Sequence, residues 1–383
     1  VFAGAYRDGG EQLPRVLHLS IARFRADLPR PGEPLEFLVT IHEEGTGISW
    51  QQNVVVDPAR ERELLDASAV LHRCSLSWVA ALDQAVPVAA ELGARLYDTF
   101  VGPAGTAFLD AFAPTAILLD ADETILNLPW ELIGPPGHAY ALATPFGRLV
   151  TTRTVPARGR DPLQEDAHVQ FLVVANPTRD LAEAAGEVAA IQALAGQHGM
   201  VTVEITVIEG ADATRDRTRE LLASGRFDVL HFSGHAELDG DQPGASAIQL
   251  ADGLLSADDI LRIPWLRPPG FVFGSACESS GSAAGRRLLS DDRQANGLAG
   301  AFLSAGVYAY AGFFWPVTDA GAALFTRTFY EQLFQRENVG LAFQAARQAA
   351  AADLGAYGDL AGYGAVLYGD AASKHRRDIY AAV

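Results

Sequence analysis

The sequence predicts an α/β fold in which a mostly parallel sheet is covered by helices on both faces. Three observations carry that expectation. From residue 169 onward, short runs rich in Val, Ile and Phe alternate regularly with Ala- and Leu-rich helical stretches, the order produced by strand–helix–strand crossovers. Two of the runs, FDVLHFSGHA at 227–236 and FVFGSACESSG at 271–281, end abruptly at small residues and one reactive side chain. They read as buried strands leaving the sheet at their carboxyl ends, where open parallel sheets collect functional groups. Finally, 383 residues that are 49% hydrophobic and 20% charged can bury a sizeable core and fill two compact units.

In chain order, residues 1–30 show no clear period and carry several Gly, Pro and Arg. Residues 35–41 and 48–56 are strand-like and flank Glu43-Glu44-Gly45-Thr46-Gly47, a hairpin signal. Residues 58–100 are Ala-rich, with apolar positions at three-and-four spacing, and predict helix. A strand follows at 116–120 and a short strand or turn at 126–133. The polar, Pro-containing stretch 156–166 is the expected boundary between residues 1–155 and residues 156–383. Beyond it come a strand at 169–175, a helix at 181–195, a strand at 201–208, a helix at 214–224 and the His-bearing strand at 227–232. A short helix at 256–261 has Ser256 and Asp259 spaced as a capping pair. The Cys-bearing strand covers 271–276, with a helix at 296–305 and a strand at 307–311 after it. Helices at 319–334 and 339–352 and a strand at 365–368 complete the order.

The net charge of −18, from 47 acidic against 29 basic residues, repels phosphate backbones and argues against nucleic acid as a direct partner. A basic peptide or a basic partner surface suits it better. Two cysteines, Cys74 and Cys277, build neither a disulfide framework nor a Cys-rich zinc site, and a reducing, cytoplasmic compartment is expected. The longest uncharged stretch, 296–318, is interrupted by Gly306 and Pro316; it reads as a buried helix and strand, not a membrane span. The chain starts at Val1 and has a single methionine, Met200, so further sequence is expected upstream.

Two strand ends would set the His235 imidazole beside the Cys277 thiol, a base and a nucleophile. A free thiol, with a pKa near about 8.5, needs such a base to act at neutral pH. Cys74, in a helical stretch, reads as structural. His231 and His235 are four apart but sit in a strand-forming run without a completing carboxylate. No metal and no cofactor is therefore expected, and His231 reads as a hydrogen-bonded structural residue. Whether His235 is oriented by a backbone carbonyl or by a carboxylate such as Asp228 stays open.

The motifs HFSGHA (231–236) and SACES (275–279) resemble the His and Cys boxes of CHAT domains, bacterial cysteine peptidases related to caspases and separases. LPWEL (128–132), LVVANP (172–177), GAFLSAG (300–306) and WPVTD (315–319) resemble further elements of that family in the same order, over roughly residues 115–370. The resemblance implies a caspase-like CHAT catalytic domain in residues 156–383. It also implies that the α/β region 1–155 is a degenerate, non-catalytic caspase-like half. By the same likeness, the chain is expected to be a cysteine endopeptidase with His235 as general base and Cys277 as nucleophile. The oxyanion donors would be the backbone N–H groups of Cys277 and Ala236; caspases carry Gly where this chain has Ala236.

Separases have a similar W-D-V-T-D segment near the pocket for a basic residue before the scissile bond. By that likeness Asp319 is a candidate specificity acid and Trp315 a candidate pocket wall, with a helix cap and a core residue as their plain alternatives. The polar stretch 279–296, with Arg286-Arg287, stands where caspase relatives have processing linkers, with a passive surface loop as its plain alternative. The family also implies a protein or peptide substrate and control by a partner or an upstream module, in bacterial defence or cell-death signalling. The alternative is a catalytically silent scaffold of the same fold. Other Cys hydrolases and amidotransferases usually place His after Cys in chain order, whereas here His235 precedes Cys277.

Overall fold

The computed structural model describes residues 15–24, 32–76, 82–122, 125–149, 168–181, 184–198, 201–237, 243–276, 297–334, 338–353 and 360–372. Strand β1 (Val16–Arg23) leads into the hairpin β2 (Leu35–Glu43) and β3 (Ser49–Val56). Helices α1 (Pro58–Leu76), α2 (Leu82–Phe100) and α3 (Gly102–Phe112) follow, then β4 (Ala116–Ala121), α4 (Tyr140–Ala143) and β5 (Phe146–Leu149). The next stretch holds β6 (His168–Ala175), α5 (Ala184–Gln192), β7 (Gly196–His198), β8 (Val201–Glu209), α6 (Arg215–Ala223) and β9 (Val229–Ser233). A small three-stranded sheet comes next, built from β10 (Ala236–Glu237), β11 (Ala247–Leu250) and β12 (Gly253–Ser256). The chain continues with α7 (Ala257–Leu261), β13 (Phe271–Ser275), α8 (Gly297–Ser304) and β14 (Ala309–Phe313). Helices α9 (Asp319–Phe334), α10 (Val339–Ala352) and α11 (Ala361–Gly364) precede the last strand, β15 (Ala365–Tyr368).

Twelve strands join in one sheet, in the order β3-β2-β1-β4-β5-β15-β14-β13-β9-β6-β8-β7. The block β14-β13-β9-β6-β8 is parallel, as the alternation of runs predicts, and so is the block β1-β4-β5-β15. The two blocks meet at the antiparallel β14–β15 pair and therefore run in opposite directions. The sheet is continuous across the two sequence halves, through β5 and β15. The boundary expected at 156–166 lies outside the described residues.

Side-chain alternation decides which helices cover which face. Phe273 and Phe313 meet Phe325 of α9, and Phe273 also meets Phe329. Tyr310, which pairs with Val272, packs against Phe302 of α8 on the other face. Phe273, Phe313, Phe325 and Phe329 are each 0% exposed, and burying such a ring stabilises the fold by roughly 1.5–3 kcal/mol.

Several elements depart from the sequence expectation. Strand β1 lies inside the stretch that showed no period; its apolar residues Leu17, Leu19 and Ile21 do alternate, but over too few positions to stand out. The helical stretch 58–100 is two helices, with α3 after them. Pro87 falls in the second turn of α2, where it removes one backbone donor. The segment 126–133 is a turn that ends in one turn of 3-10 helix, Trp130–Leu132. Its Glu131 is 3% exposed and accepts from Arg148 through both oxygens. Arg148 also donates to the carbonyls of Leu126 (2.8 Å) and Leu128 (3.1 Å). Arg347 donates to the carbonyls of Ala365 (2.9 Å) and Phe146 (3.3 Å), with its Nη2 3.9 Å from Glu131. The LPWEL motif thus clamps the junction of the two strand blocks. Burial pushes the Arg347 guanidinium down to about 10, against the pull of Glu131.

Candidate active site

Strands β6, β9 and β13 end flush. Ser233 is paired with Ala175 on one side and with Ser275 on the other. Beyond these ends the main chains remain tied together. Asn176 N–H donates to the Ser233 carbonyl at 2.7 Å, and Gly234 N–H donates to the Ser275 carbonyl at 3.2 Å. An added Cβ at Gly234 would lie 2.5 Å from the buried Phe232 ring, so any larger residue there requires that ring to shift. His235 follows two residues after the end of β9, and its carbonyl accepts from Gln249 N–H at 2.9 Å. In that antiparallel ladder His235–Gln249 is a hydrogen-bonded position, and Ala236 pairs with Ile248. The N–H of Ala236 therefore points away from β11.

The His235 side chain is 36% exposed, and its Nε2 lies 3.0 and 3.1 Å from the two carboxylate oxygens of Asp180. Facing a carboxylate, Nε2 carries the proton, which leaves the Nδ1 lone pair of the neutral ring as the basic site. Asp180 comes from the turn after β6. Asn176, at φ +40, stands at its head, and its side-chain oxygen accepts from the N–H groups of Asp180 (3.1 Å) and Leu181 (3.2 Å). Its amide donates to the Leu181 carbonyl at 3.0 Å. Asn tolerates this left-handed conformation better than most residues. The Thr178 hydroxyl, with a further contribution from His235, holds the Asp180 carboxyl below the usual carboxylate range.

Asp180 was not among the sequence candidates. The available signal was its place in N-P-T-R-D, directly after the strand that neighbours the His strand. Asp228, the carboxylate considered for this role, starts the other end of β9. It is 3% exposed and accepts from Gln170 N–H (2.9 Å) and Arg267 (2.7 Å).

Cys277 lies outside the described residues, as does the stretch 279–296. Its covalent neighbour Ala276 is buried, and Ser275 ends β13 in register with Ser233. Cys74 falls within α1. Trp315 is 1% exposed, and its indole donates to the Leu360 carbonyl at 3.3 Å, so it packs in the core. Thr318 caps α9 by accepting from Gly321 N–H at 2.9 Å, so the capping role expected of Asp319 belongs to the residue before it. Asp319 is the exposed first residue of that helix. It follows the carboxyl end of β14 and so stands on the same rim of the sheet as His235.

Beneath the rim, His231 is fully buried and its Nδ1 lies 3.2 Å from the Tyr330 hydroxyl. This fits the structural role read from the sequence. Among the described residues, no group of three or more His, Cys, Asp and Glu could hold a metal ion, and no helix is long and apolar enough to cross a membrane.

A family model described as the CHAT domain matches residues 90–363, well over half of the chain. No curated protein sequence matches. Two crystal structures of the Saccharomyces cerevisiae separase–securin complex are similar in fold, each at 10% identity, with TM-scores of 0.56 and 0.55. They cover 93% and 92% of this chain, which spans only 30% of each separase chain. The Arg-specific cysteine proteinase gingipain R matches at 11% identity with a TM-score of 0.46, over 83% of this chain and 76% of its own.

Proposed function

The chain belongs to the CHAT domain family, and on that footing we propose that it is a cysteine endopeptidase acting through Cys277 and His235. One observation carries the reading. The His and Cys runs are adjacent parallel strands in register, Ser233 against Ser275, and each reactive residue follows its strand end by two positions. Two residues of chain reach at most about 7 Å from each strand end, within which the two side chains can meet.

In the proposed reaction the Cys277 thiol passes its proton to Nδ1 of His235, whose Nε2–H is held by Asp180. The thiolate attacks the scissile carbonyl carbon and forms a C–S bond. The oxyanion is received by the N–H of Cys277 and by that of Ala236, which the β10–β11 ladder leaves facing outward. On collapse the C–N bond breaks and the leaving amine takes the proton from the imidazolium. Water, deprotonated by the same imidazole, then hydrolyses the thioester and regenerates the thiol.

The substrate is a protein or peptide. Asp319, exposed at the start of α9 on the same rim, is the acid proposed to recognise a Lys or Arg side chain before the cleaved bond. Control by an activating partner or an upstream module, in bacterial defence or cell death, is part of the same proposal.

A peptide-library screen with Cys277→Ala and His235→Ala tests the assignment. Each variant should lose several orders of magnitude in rate while keeping its fold. A thiol-directed peptide electrophile should label the wild type and not Cys277→Ala. Normal turnover in either variant would sink the assignment, and a folded wild type that neither cleaves nor labels would point to the silent scaffold.

A further inference from the structure

A buried carboxylate lies directly under the catalytic rim, and no step of the proposed reaction uses it. Glu187 of α5 is 3% exposed. One of its oxygens accepts from the Ser233 hydroxyl, and the other accepts from Thr326 of α9 at 2.6 Å. The His231 Nε2 sits 3.1 Å from that second oxygen, too poorly aligned for a directed hydrogen bond, so the contact is electrostatic. With Nδ1 3.2 Å from the Tyr330 hydroxyl, Nε2 is the ring nitrogen that faces the carboxylate. Thr326 and His231 are 0% exposed, Tyr330 1% and Ser233 3%. Burial alone would raise the Glu187 pKa. The His231 ring and the two hydroxyl donors outweigh it and hold the carboxyl below its ordinary value.

A buried charge is costly to keep, and an apolar residue of similar size usually serves stability as well or better. What distinguishes this one is its target. Ser233 is the last residue of β9, and three parts of the site converge on it. Its side chain is held by Glu187. Its carbonyl is held by Asn176, which heads the turn presenting Asp180. Its backbone is paired with Ser275, two residues before Cys277. Movement of Ser233 would therefore shift the base, its orienting carboxylate and the approach to the nucleophile together.

We infer that Glu187 is a positioning residue, acting through the Ser233 hydroxyl to set His235 against Cys277. The inference rests on the proposed Cys277–His235 pair, so its test needs a readout of that pair that does not depend on a peptide substrate. Alkylation of Cys277 by iodoacetamide, followed by mass spectrometry on its own peptide so that Cys74 does not interfere, provides one. In the wild type, alkylation should persist well below the range of a free thiol, near about 8.5. In His235→Ala it should fall back to that range.

Ser233→Ala and Glu187→Gln should fall between the two, at about tenfold slower alkylation near pH 6.5, equivalent to one unit of thiol pKa. In peptide cleavage both should lower kcat with little change in KM. Their folded state is to be confirmed by thermal melting; Ser233→Ala, the milder change, carries the test if Glu187→Gln does not fold. If alkylation is insensitive to His235, the paired nucleophile and base are refuted. If it depends on His235 but is unchanged in folded Ser233→Ala and Glu187→Gln, the positioning role is refuted and the paired residues stand.

Discussion

Glu131 and Glu187 are each 3% exposed, yet the two carboxylates are built into different kinds of surroundings. Glu131 faces two arginines, whose guanidinium groups also donate to the backbone carbonyls of Leu126, Leu128, Phe146 and Ala365. That network closes on the junction between the two strand blocks and reaches no strand end near His235. Glu187 faces two hydroxyls and an imidazole, and one of those hydroxyls belongs to Ser233, the last residue of β9, two positions before His235. Burial and ionic pairing alone do not tell a clamp from a positioning device. The destination of the hydrogen bonds does.

The largest expected effect breaks the first network. Glu131→Ala leaves Arg148 buried with its ionic partner gone. Denaturant unfolding should show a loss of about 3–5 kcal/mol, with unchanged turnover per folded molecule. A fall in turnover matching that of the Glu187 variants would erase the distinction between the two sites.

A second change probes the rim itself. Gly234→Ala sets a Cβ against the buried Phe232 ring and should cost about 1–3 kcal/mol. It should also reduce activity beyond the loss of folded protein, because His235 is the next residue.

Asp180→Asn sharpens the contrast from the solvent side. The Asp180 side chain is 60% exposed, so the melting temperature should scarcely move, while kcat should drop about tenfold through a misheld imidazole. Equal losses in kcat and stability would argue against an orienting role.

The smallest effect is acid stability. The Glu187 carboxyl is depressed below its ordinary value of 4.5 in the folded protein. The unfolded chain therefore binds the proton first as pH falls. The contribution of Glu187 is complete above that value and is lost as pH drops through the folded one. Unfolding followed from pH 6 to pH 3 should show a shallower acid slope in Glu187→Gln than in the wild type.

Much of the second half was legible because its strands are buried on both faces. Phe271-Val272-Phe273 and Val229-Leu230 advertise themselves as apolar runs, and the small residues after them mark the places where side chains become available. The helices 319–334 and 339–352 and the strand 365–368 were equally plain. Strands β5, β7, β10, β11 and β12 were not, because two to four residues are too few to show a period. Glu187 was invisible for another reason. In the Ala-rich segment AAGEVAAIQ a lone glutamate reads as the solvent side of a helix, and only the packing of α5 against β9 and α9 turns it inward. Asp180 hid within a turn motif whose composition already had a local explanation.

The reversal of strand direction at β14–β15 also limits where substrate selectivity can be rooted. On the rim that carries His235, β4 and β5 present their amino ends. The connections entering these two strands, 113–115 before β4 and 144–145 before β5, are two or three residues long. Strands stand about 4.8 Å apart. The β5 entry is therefore three spacings, about 14 Å, from β13, and the β4 entry is one spacing farther. Neither connection reaches the β9 and β13 strand ends. A library diversifying cleavage preference would gain little from these two connections and most from the segments that leave β6, β9, β13 and β14, so that half of the sheet can be held constant while the other half is retuned.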